Sequence, residues 1–349
     1  MQSTPPATAS RDDGSVDPAQ GREVSGELAL ALYEQMVVAR LLDERVIALQ
    51  RTGRVVQHSS ALGEEAAIVG AAAALGDEDW VFTGAREVAA ALWRGMPLVA
   101  YAHHVYGTTL DAACGRNAPD PPFWKAARVA SVSPLVGTQI PHAVGVAWAA
   151  RLRKRDVAVL VYFGDGATSS GDFHAGLNFA GVTRAPVIAL CRNNGWAAST
   201  PASRQTGSGG FAAKAVAYGL RGVTVDGGDV LSVLRVVREA RGRAAAGEGG
   251  TLVEAVTEPL REGEVSAPSE RDPLERMRRH LEARGLWGAE YAGRLSAEVA
   301  ADVDAALAEA AAAEVPGRDT LFDDVYAELP WHLREQRERL RAAAAGAGT

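Results

Sequence analysis

The sequence predicts an α/β fold, a parallel sheet with helices on both faces, continued by a helical C-terminal region. Three observations carry this. Between about residues 156 and 257, short apolar runs (VAVLVYF, VIALC, GVTV, TLVEAVT) alternate with helical stretches (FHAGLNFA, AKAVAYG, VLSVLRVVREARGRA), which is βαβ organisation. After Asp272 the chain reads as helical throughout, with Tyr291, Leu295, Val299, Val303 and Leu307 spaced by four. The chain of 349 residues, 47% apolar and 23% charged, is also long enough to bury a large core.

The elements follow in order. Residues 1–25 are polar, Pro-rich and aperiodic, and are expected to form a disordered tail. Ser25 is a plausible N-cap for a helix whose inward positions are Leu28, Leu32, Met36 and the Leu41/Leu42 pair. Further helices are expected over 63–75, ended by Gly76, and over 86–106. Residues 26–270 then form one α/β domain, and 271–349 a helical extension of it. The extension closes with the arm LFDDVYAELPWHLREQRERLRAA. The Tyr291-to-Leu307 stripe is core or interface, with apolar area that would suit a partner chain. There is no internal repeat.

Composition narrows the function. A formal net charge of −7 argues against a general nucleic-acid binder, which needs a basic surface. The two cysteines, Cys114 and Cys191, make neither a disulfide framework nor a zinc spacing, which fits a reducing compartment. No apolar run nears the ~20 residues of a membrane helix. The first residues carry Asp12, Asp13 and Asp17, unlike an Arg-rich, acid-poor transit peptide, and show no secretory signal. A cytoplasmic location is therefore expected.

The chemistry concentrates in residues 162–200. Gly164-Asp165-Gly166 ends one apolar run, and Asn193-Asn194 ends the next. In a parallel sheet, ligands bind beyond the carboxyl ends of the strands. Glycines beside Asp165 let the backbone approach a phosphate, and the following helix directs unpaired N–H groups to the same place. A carboxylate with an amide oxygen is a hard-oxygen pair of the kind magnesium accepts when diphosphate and water complete its shell. A lone GDG would be a plain strand-to-helix turn. GDGATSSG also fits a dinucleotide turn, but that turn wants an acid about 20 residues on, and residues 178–186 contain none. The specific signal is the pair: GDG, 26 residues, then NN.

That spacing resembles the thiamine-diphosphate binding motif. The resemblance extends over roughly residues 26–340 to the α subunits of heterotetrameric 2-oxo acid dehydrogenases. Matching stretches are GRVVQHSSALGEEAA (53–67), SPLVGTQIPHAVGVAWAA (133–150), GDGATSSGDFHAGLNFAGV (164–182), CRNNGWAAST (191–200), VDGGDV (225–230) and DPLERMRRHLEARGLW (272–287). The tail FDDVYAELPWHLREQ (322–336) favours the branched-chain type over the pyruvate type.

The resemblance implies thiamine diphosphate and Mg2+ as cofactors. It also implies a β subunit that completes the site in an α2β2 assembly, a small 2-oxo acid substrate, and acyl transfer to the lipoyl domain of a dihydrolipoamide acyltransferase. Asp165, Asn194 and the carbonyl of Trp196 would be magnesium ligands. Arg86 and Arg192 would grip the diphosphate, and Gly166 and Ala167 would donate backbone N–H groups. Ser133 and Leu135 or Val136 would cradle the cofactor rings, in a loop one residue longer than the usual form. Thr138 and Gln139 match a monovalent-cation site in some members, although both residue types more often simply bond the backbone.

The departures carry weight too. The tyrosine usual before the diphosphate-binding arginine is Ala85, and the glutamate of an SEGD-like stretch is Ser170. A histidine expected in a MPxHxG-like stretch after CGR is missing, where the sequence reads NAPDPPFW. The loop after EAVT, spanning 258–273, is short and lacks the histidine that relatives place near the cofactor. All seven histidines are His58, His103, His104, His142, His174, His280 and His332, so this chain offers no acid or base there. No catalytic residue is assigned with certainty; His58, where relatives carry a tyrosine or histidine at the substrate pocket, is the one candidate. A degenerate, non-catalytic α-like subunit and a pyruvate-type subunit are the alternative readings.

Overall fold

The computed structural model describes residues 24–118, 120–260, 270–323 and 325–346. Most of the expected N-terminal tail and residues 261–269 of the short loop therefore lie outside the described residues. The first helix, α1 (Gly26–Arg51), starts where expected, its first turn held by the Ser25 hydroxyl accepting from the Leu28 N–H. It is followed by α2 (Glu65–Ala72), β1 (Trp80–Phe82), α3 (Val88–Trp93), α4 (Leu98–Tyr106), β2 (Val129–Ala130) and α5 (Gln139–Leu152). Next come β3 (Val159–Gly164), α6 (Gly171–Thr183), β4 (Val187–Asn193) and a two-stranded ribbon of β5 (Trp196–Ala197) and β6 (Thr200–Pro201). The rest is β7 (Arg221–Asp226), α7 (Val230–Ala245), β8 (Thr251–Val256), α8 (Pro273–Ala283), α9 (Ala289–Ala312) and α10 (Trp331–Gly346). No helix of the described residues is long and apolar enough to cross a membrane.

The sheet has six parallel strands in the order β2-β1-β3-β4-β8-β7. Its central strands are buried on both faces, so β3 and β4 read as nearly continuous apolar runs and β8 as one broken by the buried Glu254. Alternate residues serve two cores. Leu160, Tyr162, Ile188 and Leu190 face the core shared with α1, α2 and α7. Val161, Phe163, Ala189 and Cys191 face the one shared with α5 and α6. Buried Tyr162 donates its hydroxyl to the Ile68 carbonyl at 2.7 Å, joining strand to helix.

Three features depart from the expectations. The sheet recruits β1 and β2 from the half of the chain read as helical. The helix expected over 86–106 is two, α3 and α4, because Gly95 has φ +100° and Pro97 caps a fresh start. The apolar stripe of α9 is spent inside the chain, against α1 and α4, with Val299, Val303 and Leu307 buried. Its area is not left for a partner.

The start of α8 is fastened by one buried guanidinium. Arg40 on α1 donates its Nε to Glu65 at 2.5 Å and its two Nη groups to Asp272 at 3.0 and 3.1 Å. Asp272 is also the N-cap of α8, accepting from the Leu274 N–H. Replacing Arg40 by Met strands two carboxylates in a site closed to water. Arg40→Met should therefore lose about 3–5 kcal/mol of unfolding free energy, the usual cost of removing one partner from a buried ion pair, as read by urea denaturation; a loss under about 1 kcal/mol would show the clamp to be incidental.

Candidate functional site

At the carboxyl edge of β3 and β4 lies a cavity of about 480 Å³. It is where the topology puts a site, since the strands end there and the connections to the next helices form its walls. Lining it are Arg86, Ser133, Leu135, Val136, Asp165, Gly166, Ala167, Arg192 and Trp196, drawn from four separate stretches of the chain. Asn194 borders it through its neighbours.

Asp165 follows β3 directly and opens a 3-10 turn (Asp165–Ser169), and α6 begins at Gly171, two residues before the stretch FHAGLNFA read as helical. Its side chain is buried, and Oδ2 accepts from the Gln205 amide at 2.7 Å. Burial pushes its pKa above the ordinary carboxylate value, opposed by the bonds from Gln205 and the Gly166 N–H. At Gly166 a Cβ would sit 2.7 Å from that of Ala197, so only glycine lets the ribbon close over this turn. Ser170, unexplained as a departure, is the N-cap of α6: its hydroxyl accepts from the Phe173 N–H and donates to the Ala167 carbonyl.

The two asparagines divide their work. Asn193 turns inward and donates Nδ2 to Glu254 at 2.8 Å, a purely structural contact. Asn194 donates Nδ2 to Glu64 at 2.9 Å, while its Oδ1 accepts from the Trp196 N–H at 3.1 Å. Trp196 itself is 55% exposed.

The basic groups converge from different elements. Arg192 pairs in register with Gly164, which puts it beside Asp165. Its guanidinium is buried and ion-paired through one Nη to Glu64 and through the other to Glu87. Arg86, just before α3, reaches the same Glu64 carboxylate at 3.3 Å and is the more exposed of the two. Glu87 also accepts from the backbone N–H groups of Gly84 and Arg86, at 2.5 and 3.2 Å. Burial raises its carboxyl to about 7. Sequence reasoning missed both glutamates. The available signal for Glu64 was LGEEAA, two acids opening a helix whose every residue is buried. Gly63 sets its place: φ is +83°, and a Cβ would lie 2.4 Å from the Glu258 carbonyl. Only glycine lets the chain pass that close to the exit of β8.

The loop before α5 presents Leu135 and Val136 at the lip, each 68% exposed. Thr138 donates to the Leu135 carbonyl at 2.9 Å and Gln139 to that of Tyr162 at 3.0 Å, so both bond backbone. His58 departs from the expectation. Its neighbours Gln57 and Ser59 line the cavity, but its own side chain is buried behind the wall. There it meets Asp43 at 2.5 Å and Asp120 at 3.9 Å, and it braces the wall instead of facing a substrate.

The donor set suits a hard cation and an anion together. Among the described residues no three His, Cys, Asp or Glu side chains could hold a metal by themselves. One carboxylate, one amide oxygen and one carbonyl would thus need external oxygens to complete an octahedron, and two arginines are at hand to hold the group that brings them.

The profile described as "Dehydrogenase E1 component" matches residues 33–318. The chain is 37% identical over 333 residues to the 2-oxoisovalerate dehydrogenase subunit alpha 2, mitochondrial, of Arabidopsis thaliana, covering 91% of this chain and 71% of that one. It is 35% identical over 339 residues to the human subunit alpha, covering 93% and 76%. For the Caenorhabditis elegans subunit alpha the figures are 37% over 348 residues, covering 95% and 80%. These relatives are named as mitochondrial, which corrects the expected cytoplasmic location. That expectation rested on acids in the first residues, outside the region that aligns with the family profile. A profile match running from the first long helix into the turns beyond the last packed one, and identities above a third over nine-tenths of the chain, establish that this protein belongs to the dehydrogenase E1 component family.

Proposed function

We propose that this chain is the α subunit of a branched-chain 2-oxo acid dehydrogenase, holding the diphosphate end of thiamine diphosphate and its Mg2+. The observation that carries the reading is the convergence of Arg86 and Arg192 on one cavity beside Asp165, Asn194 and Trp196. When bound, thiamine diphosphate supplies a nucleophilic carbon and an electron sink for decarboxylation of the 2-oxo acid. The chain's own groups bind and orient. Asp165, the Asn194 amide oxygen and the Trp196 carbonyl would hold the metal. Arg86 and Arg192 would pair with phosphate oxygens, and the N–H groups of Gly166 and Ala167 would donate to them. Leu135 or Val136, with Ser133, would support the rings and exclude water from one side.

Among the described residues no histidine lines the cavity. In this reading proton transfer is left to a β subunit, which also closes the exposed apolar lip, and the product acyl group leaves on the lipoyl domain of a dihydrolipoamide acyltransferase. The two-fold pairing of such α and β chains into α2β2 belongs to the same reading.

Two outcomes test it. Asp165→Ala and Asn194→Ala should each weaken thiamine diphosphate binding at fixed Mg2+ by at least tenfold, measured calorimetrically on the α2β2 assembly; unchanged affinity in both would refute the cofactor assignment. The purified α chain alone should neither decarboxylate branched-chain 2-oxo acids nor bind the cofactor tightly, whereas co-expression with the β subunit should restore both. Full activity from the α chain by itself would refute the shared site.

A further inference from the structure

We propose that Glu64 is a positioning residue that makes capture of the diphosphate conditional on the metal. The inference rests on the reading of Arg86 and Arg192 as the anion grip and Asn194 as a metal ligand.

The geometry gives one buried carboxylate three partners. Oε1 accepts from Arg86 Nη1 at 3.3 Å and from Asn194 Nδ2 at 2.9 Å, and Oε2 accepts from Arg192 Nη1. No other group among the described residues is bonded both to the two arginines and to the amide. Glu64 is 2% exposed and sits at the start of α2, behind Gly63, so water neither screens it nor replaces it.

Two consequences follow from charge and from donor chemistry. A carboxylate can only accept, so the Asn194 amide must turn its Nδ2 to Glu64 and its Oδ1 the other way. Its bond to Glu64 thus fixes which atom is presented as a ligand and makes that oxygen a better donor, the usual contribution of a partner behind a metal ligand. At the same time the Glu64 carboxylate lies against both of the cavity's guanidiniums, so it offsets part of their field toward an incoming anion. A diphosphate arriving without a cation meets a weakened attraction. With a cation seated beside Asn194, the same pocket has a positive charge to offer. One side chain therefore strengthens the metal half of the site and weakens the bare-anion half.

Glu64→Gln keeps the shape and removes the charge. On the α2β2 assembly, inorganic diphosphate affinity can be measured by calorimetry without metal. Mn2+ affinity can be measured by electron paramagnetic resonance at saturating diphosphate. The variant should bind Mn2+ about 10–100-fold more weakly while binding metal-free diphosphate as well as the parent or more tightly. A residue with only a structural part would weaken both together. Equal losses in the two measurements, or no change in either, would overturn the assignment. If Glu64→Gln does not fold, Glu64→Asp retracts the carboxylate by one methylene, so it cannot span all three partners, and the two affinities should separate in the same directions; an equal change would again overturn it. A parent assembly whose diphosphate binding is independent of metal would instead remove the underlying cofactor reading, and this inference with it.

Discussion

Everything at the carboxyl edge of the sheet depends on holding one guanidinium, that of Arg192, away from water. An unpaired charge there would cost several kcal/mol, so the fold brings two carboxylates to it, from the starts of α2 and α3. Those helices lie more than a hundred residues away in sequence. Strand pairing completes the arrangement, because Arg192 is level with Gly164 and so adjacent to Asp165. A slip of one residue would turn the Arg192 side chain to the opposite face of the sheet and separate it from both glutamates. The electrostatics of the site are therefore a property of register and helix placement together.

This also explains what could be read from the sequence and what could not. The GDG and NN turns are local, each at the end of a run long enough to declare itself a strand, so Asp165 and Asn194 were legible. Glu64 and Glu87 were not, because their meaning comes from Arg192, a contact across 128 residues in the first case. In the fold, β3 and β4 were plain from their apolar runs, and β8 from a run that only Glu254 interrupts. By contrast β1 and β2, of three and two residues, are too short to show any period; β1 exists because β3 offers it an edge, and β2 because β1 does. The break between α3 and α4 was marked by Gly95 and Pro97, and reading a single helix over 86–106 set that punctuation aside. His58 misled for a different reason: its neighbours face the cavity, and a residue between them on an extended stretch points behind it.

The disposition of apolar surface is equally specific. The α9 stripe, which periodicity alone leaves open between core and interface, is consumed by α1 and α4. What stays exposed is elsewhere: Leu135 and Val136 at the cavity lip, and Trp148 of α5 edge-on to Phe179 of α6 at 5.2 Å. Exposed aromatic and aliphatic side chains grouped this way are costly in water and characteristic of surfaces that are covered in an assembly.

The clamp of Arg40 on Asp272 has a consequence for how this family of chains can vary. The chain leaves the sheet at Thr257, whose N–H is bonded to the Asn193 carbonyl, and Leu260 is bonded to Leu62. It is caught again at Asp272 by α1. Both moorings are made by residues outside 261–269, so α8 keeps its place and Asn193 its backbone partner by contacts that those nine residues do not supply. A change of sequence confined to them leaves each of these bonds with both its partners, and the C-terminal helices stay tied to the same core as the strand ends at the cavity.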